Sequence, residues 1–337
     1  MKKIVLESPG RFAESSAAIP KPAPGEALVQ IERVGVCGSD FHAFYGRHPA
    51  YTYPRVLGHE LSGVVVDVTP NGKGIRTGDA CVIDPYLSCG NCNSCLNGRP
   101  NCCYDLRVLG IHVDGGMQEF LSVPISQLHK SDTLSLDELA LVETLGISAH
   151  AVARSGISAG QDALVVGAGP IGIGVAQFAA VAGARVHIIE KSGWRREFVQ
   201  ELGFTAGPAT EEKSADFVFD ATGSAEAMSA SLSLVATGGT LVYVGLTRDP
   251  VLLDDALFHR REMTLLASRN SCNQFARIIL LMEQGKIDVR RWITHRLNLE
   301  CVATEFESLP GQSLLIKAIV DMQDGKTARR PGASNDQ

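Results

Sequence analysis

The sequence lacks the features that mark exported and membrane proteins. The apolar stretch near its start covers only Ile4–Leu6, which is too short for the apolar region of a secretory signal. The most apolar window, residues 163–183, contains several glycines and a proline and begins as a β-rich run. A buried strand, turn and helix fit this window better than a membrane span. We therefore predict a cytoplasmic protein without a membrane partner.

A basic surface is also missing. The formal net charge is -6, which repels phosphate backbones. The nearest approach to a basic run, "KTARRPGASNDQ" at residues 326–337, is typical of a frayed tail. This charge balance excludes a zinc-ribbon nucleic-acid binder and leaves a small molecule as the expected partner.

Two domains of different architecture are expected from 337 residues. Between residues 27 and 123, short β-rich runs such as "ALVQIERVGV" and "SGVVVDV" alternate with turns, which predicts an antiparallel β domain. A helical pattern covers residues 137–154. From residue 162, strand-like and helix-like runs alternate as far as "TLVYVGL", which predicts a doubly wound parallel sheet. One of the helix-like runs is "AEAMSASLSLVATGG", which begins at residue 225, and a further helix is predicted over residues 272–284. The predicted fold class is α/β.

A dinucleotide-binding turn is predicted in "ALVVGAGPIG". Gly167, Gly169 and Gly172 have G-x-G-x-x-G spacing, directly after a strand-like run and before a helix-like one. The next strand, "RVHIIE", ends on Glu190, where a carboxylate can bind ribose hydroxyls and repel a 2'-phosphate. Arg195, in "WRREF", opposes that preference, yet the acidic strand end favours NAD. The remaining predicted cofactor contacts are Pro170, Ile171 and Gly245.

The loop "CGNCNSCLNGRPNCC" contains five of the nine cysteines. Four thiolates can close a tetrahedral shell around Zn²⁺ and leave no open position, so a structural zinc site is predicted. Bacterial ferredoxins begin with similar spacing, but their fourth cysteine comes sooner and is followed by proline. Cys102 is an alternative to its neighbour as the fourth ligand. The predicted ligands are Cys89, Cys92, Cys95 and Cys103.

A second metal site is indicated by "GVCGSDFH" and "PRVLGHE". Cys37, His59 and Glu60 combine thiolate, imidazole and carboxylate groups, a mixture that suits a catalytic zinc with one position open. Glu143, in "ALVETLGISAH", is a further carboxylate.

In this order, these motifs resemble the zinc-containing medium-chain alcohol dehydrogenase family. The resemblance extends over essentially the whole chain and includes "DGGMQEF" and "THRLNLE". It implies a GroES-like, β-rich catalytic zinc domain formed by residues 1–148 and 286–337, and a Rossmann domain over residues 149–285. It also implies one catalytic and one structural Zn²⁺ per chain, NAD, and a homodimer or homotetramer.

The resemblance assigns roles to single residues. It makes Cys37 and His59 zinc ligands, and Glu60 either a ligand or a carboxylate behind the metal. Glu143 stands where ethanol-type enzymes have a cysteine, which places the chain in the polyol and sugar-acid branch. In that branch the glutamate binds zinc directly or through water. Thr144 follows Glu143 where the branch commonly has proline, and this departure argues less for direct ligation by Glu143 than the match at Cys37 does.

The resemblance also implies a proton relay from Ser39 to His42, with Glu60 as a further catalytic residue. Arg269, in "LLASRNS", matches a position that contacts substrate, where a guanidinium can bind a carboxylate. This favours an aldonate such as galactonate or gulonate over an uncharged polyol, with Tyr45 and His48 as further pocket residues. The alternatives are a general polyol, threonine or secondary-alcohol dehydrogenase and, outside enzymes, a zinc-stabilised dinucleotide sensor.

Overall fold

The computed structural model describes residues 1–209 and 213–323. The predicted tail at residues 326–337 lies outside this range. None of the helices in these two ranges has both the length and the apolar character needed to span a bilayer.

The chain divides into two compact units. Unit 1 contains Met1–Gly90, Tyr104–Glu143 and a segment that begins at Val289, and unit 2 contains Asn91–Cys103 and Thr144–Asp288. The limits near residues 143 and 288 lie close to the predicted domain boundaries. The segment Asn91–Cys103 differs, because the prediction assigned it to the catalytic domain. Its hydrogen bonds explain the difference, since the Asn101 side chain donates to the Arg269 carbonyl oxygen of unit 2 at 2.8 Å.

The elements follow the predicted change from β-rich runs to alternating strands and helices. Up to residue 155 they are β1 (Lys2–Ser8), β2 (Arg11–Ser16), β3 (Glu26–Val36), α1 (Gly38–Phe44), β4 (Glu60–Val68), β5 (Ala80–Ile83), β6 (Tyr86–Leu87), α2 (Asn93–Leu96), β7 (Arg107–Val108), β8 (Phe120–Pro124), β9 (Leu128–Lys130), α3 (Leu136–Ala140) and α4 (Val142–Ser155). After residue 160 they are β10 (Asp162–Val166), α5 (Pro170–Val181), β11 (Arg185–Ile189), α6 (Gly193–Glu201), β12 (Thr205–Gly207), β13 (Ala215–Asp220), α7 (Ala225–Ala230), β14 (Val235–Tyr243), α8 (Asp255–Arg260), β15 (Thr264–Ala267), α9 (Phe275–Glu283), β16 (Ile293–Asn298), α10 (Val302–Glu305) and β17 (Lys317–Asp321).

Unit 1 is built on a seven-stranded sheet. Its strand order is β16-β17-β3-β4-β5-β9, with β8 also paired to β3. β3 pairs antiparallel with β4, β8 and β17, which agrees with the predicted antiparallel domain. Most residues of β3 are buried, because it lies in the middle of the sheet and contributes to the hydrophobic core.

Unit 2 is built on a six-stranded sheet in the order β12-β11-β10-β13-β14-β15, and every neighbouring pair is parallel. This is the predicted Rossmann-type doubly wound sheet. α5 follows β10. It is apolar almost all round, which agrees with the burial of most of its residues.

Two predicted helices are shorter than expected. The helix predicted over residues 272–284 begins at Phe275, since Asn273 has a φ of 54° and cannot belong to it. The helical run predicted from residue 225 ends before Val235, where β14 begins. Its "VATGG" segment forms the start of β14 because the β-branched Val235 and Thr237 favour a strand and the two glycines disfavour a helix. Val235 pairs with Ala215 of β13, and the register shifts before Thr240.

Candidate metal and dinucleotide sites

Unit 1 brings three predicted metal ligands together. Cys37 occupies the N-cap position of α1, and His59 directly precedes Glu60, the first residue of β4. One ligand atom from each residue lies within 4.8 Å of the others, and both His59 and Glu60 are buried. Soft, imidazole and carboxylate donors at this spacing fit a catalytic Zn²⁺.

Asp40 is a buried carboxylate beside the His59 ring. One of its oxygens accepts the Cys37 backbone N–H at 2.9 Å, and the other lies 3.8 Å from Nδ1 of His59. Burial lowers the pKa of His59, but the charges of Asp40 and Cys37 outweigh burial, so the pKa stands well above 6.5. At 3.8 Å the contact between Asp40 and Nδ1 is electrostatic and is not a hydrogen bond. Asp40 was visible in "GSDFH" but was not singled out from the sequence.

Glu60 is bound to a buried lysine that the sequence analysis missed. Lys317 Nζ donates to the two Glu60 oxygens at 2.6 and 2.8 Å, and to the Val36 carbonyl oxygen at 3.3 Å. Gly35 makes room for the carboxylate, because a Cβ there would lie 2.1 Å from Glu60 Oε2. The available signal was a lysine within the apolar run "LLIKAIV".

Glu143 is buried near the same residues but lies outside the group of three. It is the second residue of α4, and its carboxylate accepts a hydrogen bond from the Tyr86 hydroxyl. Burial raises the pKa of Glu143 to about 7, although the charge of His59 opposes this increase. Tyr86 was not predicted, since no local pattern links residues so far apart in the chain.

The cysteine loop has the geometry of a closed metal site. The thiol sulfurs of Cys89, Cys92, Cys95 and Cys103 lie within 4.8 Å of one another. Cys102 is not in this group, so the structure favours its neighbour as the fourth ligand. All nine cysteines are free of disulfides. Four thiols at this spacing fit a structural Zn²⁺.

Unit 2 contains the expected dinucleotide turn between β10 and α5. Gly169 is the N-cap of α5, Pro170 is its first residue, and the carbonyl oxygen of Ile171 accepts from Ser148 at 2.9 Å. A Cβ at Gly172 would lie 1.8 Å from the Gly167 carbonyl oxygen, so the turn requires glycine there. This close approach is what the predicted motif demands.

A cavity of about 1010 Å³ lies beside this turn. Its lining includes Gly167, Glu190, Lys191 and Arg195. The Glu190 carboxylate accepts the backbone N–H groups of Ala168 and Ser192 at 2.7 and 2.8 Å, which fixes it at the end of β11. The cavity fits the adenosine end of a dinucleotide.

The other predicted residues occupy separate places. Gly245 follows β14 and donates its N–H to the Asp220 carbonyl oxygen at 2.9 Å. His42 is exposed in the last turn of α1. Tyr45 is exposed, and the Arg47 guanidinium lies 5.0 Å from the centre of its ring. Arg269 follows β15 in unit 2.

Comparison with known proteins identifies the family of the chain. Residues 23–133 match the alcohol dehydrogenase GroES-like domain, and residues 170–284 match the zinc-binding dehydrogenase family. The chain is 38% identical to L-galactonate-5-dehydrogenase of Escherichia coli K12, over 95% of this chain and 98% of that protein.

Two solved structures with bound cofactor are also similar. One is a zinc-binding dehydrogenase of Sinorhizobium meliloti 1021 bound to NADP, with 32% identity, a TM-score of 0.88, and coverage of 95% of this chain and 99% of that one. The other is an alcohol dehydrogenase (rspB) of Escherichia coli CFT073 complexed with NADH, with 28% identity, a TM-score of 0.88, and coverage of 96% and 99%. The chain therefore belongs to the zinc-type medium-chain alcohol dehydrogenase family.

Proposed function

We propose that the protein oxidises a secondary alcohol of a sugar acid or polyol and transfers the hydride to NAD. The observation that carries this proposal is the group formed by the half-buried Cys37 and the buried His59 and Glu60. A protein that only senses dinucleotides has no need for a mixed, incompletely coordinated metal site.

The chain's own residues have distinct tasks in this reaction. When bound, zinc supplies the Lewis acidity that lowers the pKa of a hydroxyl group, and the nicotinamide ring accepts the hydride. Cys37 and His59 would hold the cation, and the buried Asp40 carboxylate adds a negative charge 3.8 Å from the imidazole. Glu143 is proposed as a further ligand, directly or through water. Lys317 occupies both oxygens of Glu60 and neutralises them, so Glu60 would support the site as a paired charge and not as a ligand.

Ser39 and His42 are proposed to carry the released proton to solvent. The Ser39 hydroxyl is buried next to Cys37, and His42 is exposed at the other end of α1. We expect Ser39→Ala to lower the turnover rate at pH 7 without loss of zinc. An unchanged rate at that pH would contradict the relay.

NAD is the proposed cofactor because Glu190 ends β11 and repels a 2'-phosphate. Its two oxygens accept backbone N–H groups, but a carboxylate has lone pairs left for ribose hydroxyls. Lys191 and Arg195 line the same cavity and reduce the discrimination against NADP. Comparison of kcat/KM for the two cofactors tests this, and equal values would remove the preference.

A sugar acid of the galactonate or gulonate type is the proposed substrate class. The similarity to L-galactonate-5-dehydrogenase supports it, as does Arg269, whose backbone is held by Asn101 and whose guanidinium can bind a carboxylate. Uncharged polyols, threonine and simple secondary alcohols are the alternatives.

One experiment tests the function as a whole. The protein is purified, its zinc content is measured, and NAD reduction at pH 8 to 9 is followed with aldonates, polyols, threonine and simple alcohols. We expect two zinc ions per chain and the highest kcat/KM with an aldonate. One zinc per chain with no turnover would support the sensor, and faster oxidation of sorbitol than of every aldonate would support a polyol dehydrogenase.

We also propose a homodimer or homotetramer in the cytoplasm. In the described part of the chain, β15 pairs only with β14, and Leu265 on this strand is exposed, so a second copy can extend the sheet. Light scattering gives the subunit number, and a monomer at micromolar concentration would contradict this proposal.

A further inference from the structure

The parallel sheet of unit 2 has an unusually short connection between two of its strands. A crossover between parallel strands generally has a dozen or more residues and contains a helix. The connection from Gly207, the end of β12, to Ala215, the start of β13, has only the seven residues 208–214, and none of the described helices lies in it. Seven residues are too few to form a covering helix and also to span β11 and β10, the two strands between them.

One face of β11 and β12 is left open by this short connection. α5 packs against β11 and α6 against β12 on the other face, because right-handed crossovers place these helices and the return connection to β13 on opposite sides. The open face is polar where a covered parallel sheet would be apolar. His187 of β11 lies beside Thr205 Oγ1 of β12 at 2.9 Å and beside Lys213 Nζ at 3.3 Å, both measured from His187 Nδ1.

The cavity of about 1010 Å³ extends along this face from one edge of the sheet to the other. Residues that follow strands, such as Gly167 and Thr222, line one end. Residues that precede strands, Ser214 before β13 and Leu234 before β14, line the other end. Because the strands are parallel, these ends lie at opposite edges of the sheet, and the six residues of β13 separate them by roughly 20 Å at about 3.3 Å per residue.

A dinucleotide needs only the first of these ends. In doubly wound sheets the nucleotide binds outside the carboxyl ends of the strands, where the glycine turn and Glu190 stand. The second end lies at the amino ends of β13, β14 and β15 and is not part of that arrangement. We call it the amino-end pocket, and it is lined by Lys213, Ser214, Ser233, Leu234 and Arg261.

Arg261 is held in place at the wall of the amino-end pocket. Its Nη1 donates to the carbonyl oxygens of Ser233 and Val235 at 2.8 and 2.5 Å, and its own carbonyl oxygen accepts the Gly238 N–H at 2.7 Å. Nε and Nη2 have no partner in the described chain and are left for a ligand. A guanidinium that is already fixed loses little conformational entropy when it binds an anion.

The charge balance of the amino-end pocket favours an anion. Lys213 adds a second positive charge to that of Arg261, and Ser214 adds a hydroxyl group. The carboxylates among the described lining residues are Glu190 and Glu226. They follow β11 and β13 and therefore belong to the end of the cavity that a dinucleotide uses.

We infer that the amino-end pocket binds a small organic anion through its carboxylate or phosphate oxygens, at the same time as a dinucleotide occupies the glycine turn. Arg261 binds two oxygens of the anion with its fork of N–H groups, and Lys213 binds a third. Leu234 and the α7 residue Ala230 form an apolar wall for the rest of the molecule. This site goes beyond the proposed function, because its occupation requires neither the alcohol substrate nor hydride transfer.

Calorimetric titration tests the pocket. Inorganic phosphate and, separately, citrate are titrated into the full-length protein with and without saturating NADH, and NaCl keeps the ionic strength constant. We expect at least one of the two probes to bind at one site per chain, and the tighter one shows whether phosphate or carboxylate is preferred. NADH should change its Kd by less than about twofold, because the two ends of the cavity lie farther apart than the screening length. Absence of binding by both probes, or displacement by NADH, would overturn the inference.

Two lysine variants locate the bound anion. Lys213→Gln should raise the Kd of the bound probe about tenfold or more, because a hydrogen bond to a charged group is lost. Lys286→Gln is the matched control, since it removes an exposed lysine of unit 2 that does not line the cavity, and it should change the Kd by less than about twofold. Lys213 is exposed as well, so both variants should keep the wild-type Tm in the absence of the probe.

Equal Kd values for Lys213→Gln and the wild type, or equal weakening by the two variants, would show that the anion binds elsewhere or through general surface charge, and would overturn the inference. These results do not depend on the proposed function. A protein that binds the probe in the amino-end pocket but oxidises no alcohol would refute the proposed function alone, whereas an active dehydrogenase that binds neither probe would refute the pocket alone.

Discussion

The two thiol-containing groups of this chain that fit a metal ion differ in their donors and in their surroundings. The loop from Cys89 to Cys103 offers four identical donors within a short stretch of chain, so an ion there has no vacant position. The group around Cys37 mixes donor types, is enclosed by charged residues from distant strands, and lies beside the buried Ser39 hydroxyl. A closed shell serves stability, and an open and polar one serves reaction. The following substitutions test this division of roles.

Loss of the histidine ligand should have the largest effect. His59→Ala removes a donor from the open site, and we expect kcat to fall at least about a thousandfold because Lewis-acid catalysis is lost. Zinc analysis should show one ion per chain instead of two. His259→Ala, a substitution of an exposed histidine, is the control and should keep both ions and full activity. Wild-type turnover by His59→Ala would mean that the reaction takes place elsewhere.

Replacement of a cysteine by serine in the cysteine loop should lower the stability of the fold more than the catalytic rate. Cys95→Ser opens the closed shell, and we expect loss of the loop zinc with a stability decrease of more than about 3 kcal/mol. The Asn101 contact to the Arg269 carbonyl should weaken with it. Chemical denaturation and zinc analysis measure both effects.

Cys301→Ser is the matched control, because Cys301 lies outside both thiol groups of the described chain. It should retain both ions and wild-type stability. If Cys95→Ser stays stable but loses activity with both ions present, the assignment of roles to the two sites is reversed.

The buried ion pair between Lys317 and Glu60 should stabilise the folded state because the lysine neutralises the Glu60 carboxylate. Lys317→Met leaves that carboxylate buried and unpaired, so we expect a loss of about 3 kcal/mol in the free energy of unfolding. The double variant Glu60→Gln/Lys317→Met should lose less than the single one, since no unpaired charge remains. Denaturation of the wild type, the two single variants and the double variant completes the cycle. Additive losses in the free energy of unfolding would show that Lys317 and Glu60 are not coupled.

The sequence analysis predicted those parts of the sites that are formed by residues close together in the chain. The cysteine loop, the glycine turn and the "GHE" pair are local patterns, and the structure has each where its motif stands. The missed groups depend on contacts between distant residues. Lys317 reaches Glu60 across 257 positions, and Tyr86 reaches Glu143 across 57. Strand pairing around β3 brings Lys317 to Glu60, and packing between β6 and α4 brings Tyr86 to Glu143. One sequence specifies neither arrangement.

The smallest expected effect concerns Asp84, which lies in the chain between Glu60 and Cys89. Asp84 accepts the Tyr86 N–H at 3.0 Å, and burial raises its pKa from 3.8 to about 6. Ionisation is therefore less favourable in the folded state than in the unfolded state, and the folded state loses stability as pH rises through this range. Asp84→Asn keeps the acceptor and removes the charge, so we expect it to raise stability at pH 7.5 by about 2 kcal/mol.

The gain from Asp84→Asn should fall as pH decreases below about 6 and vanish below about 4, where the aspartate is protonated in both states. Denaturation at pH 4 and pH 7.5 measures the difference, with zinc content as a check on both sites. We expect both ions to remain at pH 7.5, because Asp84 lies outside both groups of metal ligands in the described chain. A stability gain equal at the two pH values would show that the charge of Asp84 is not its cause, and loss of an ion would show that this segment helps to hold one of the sites.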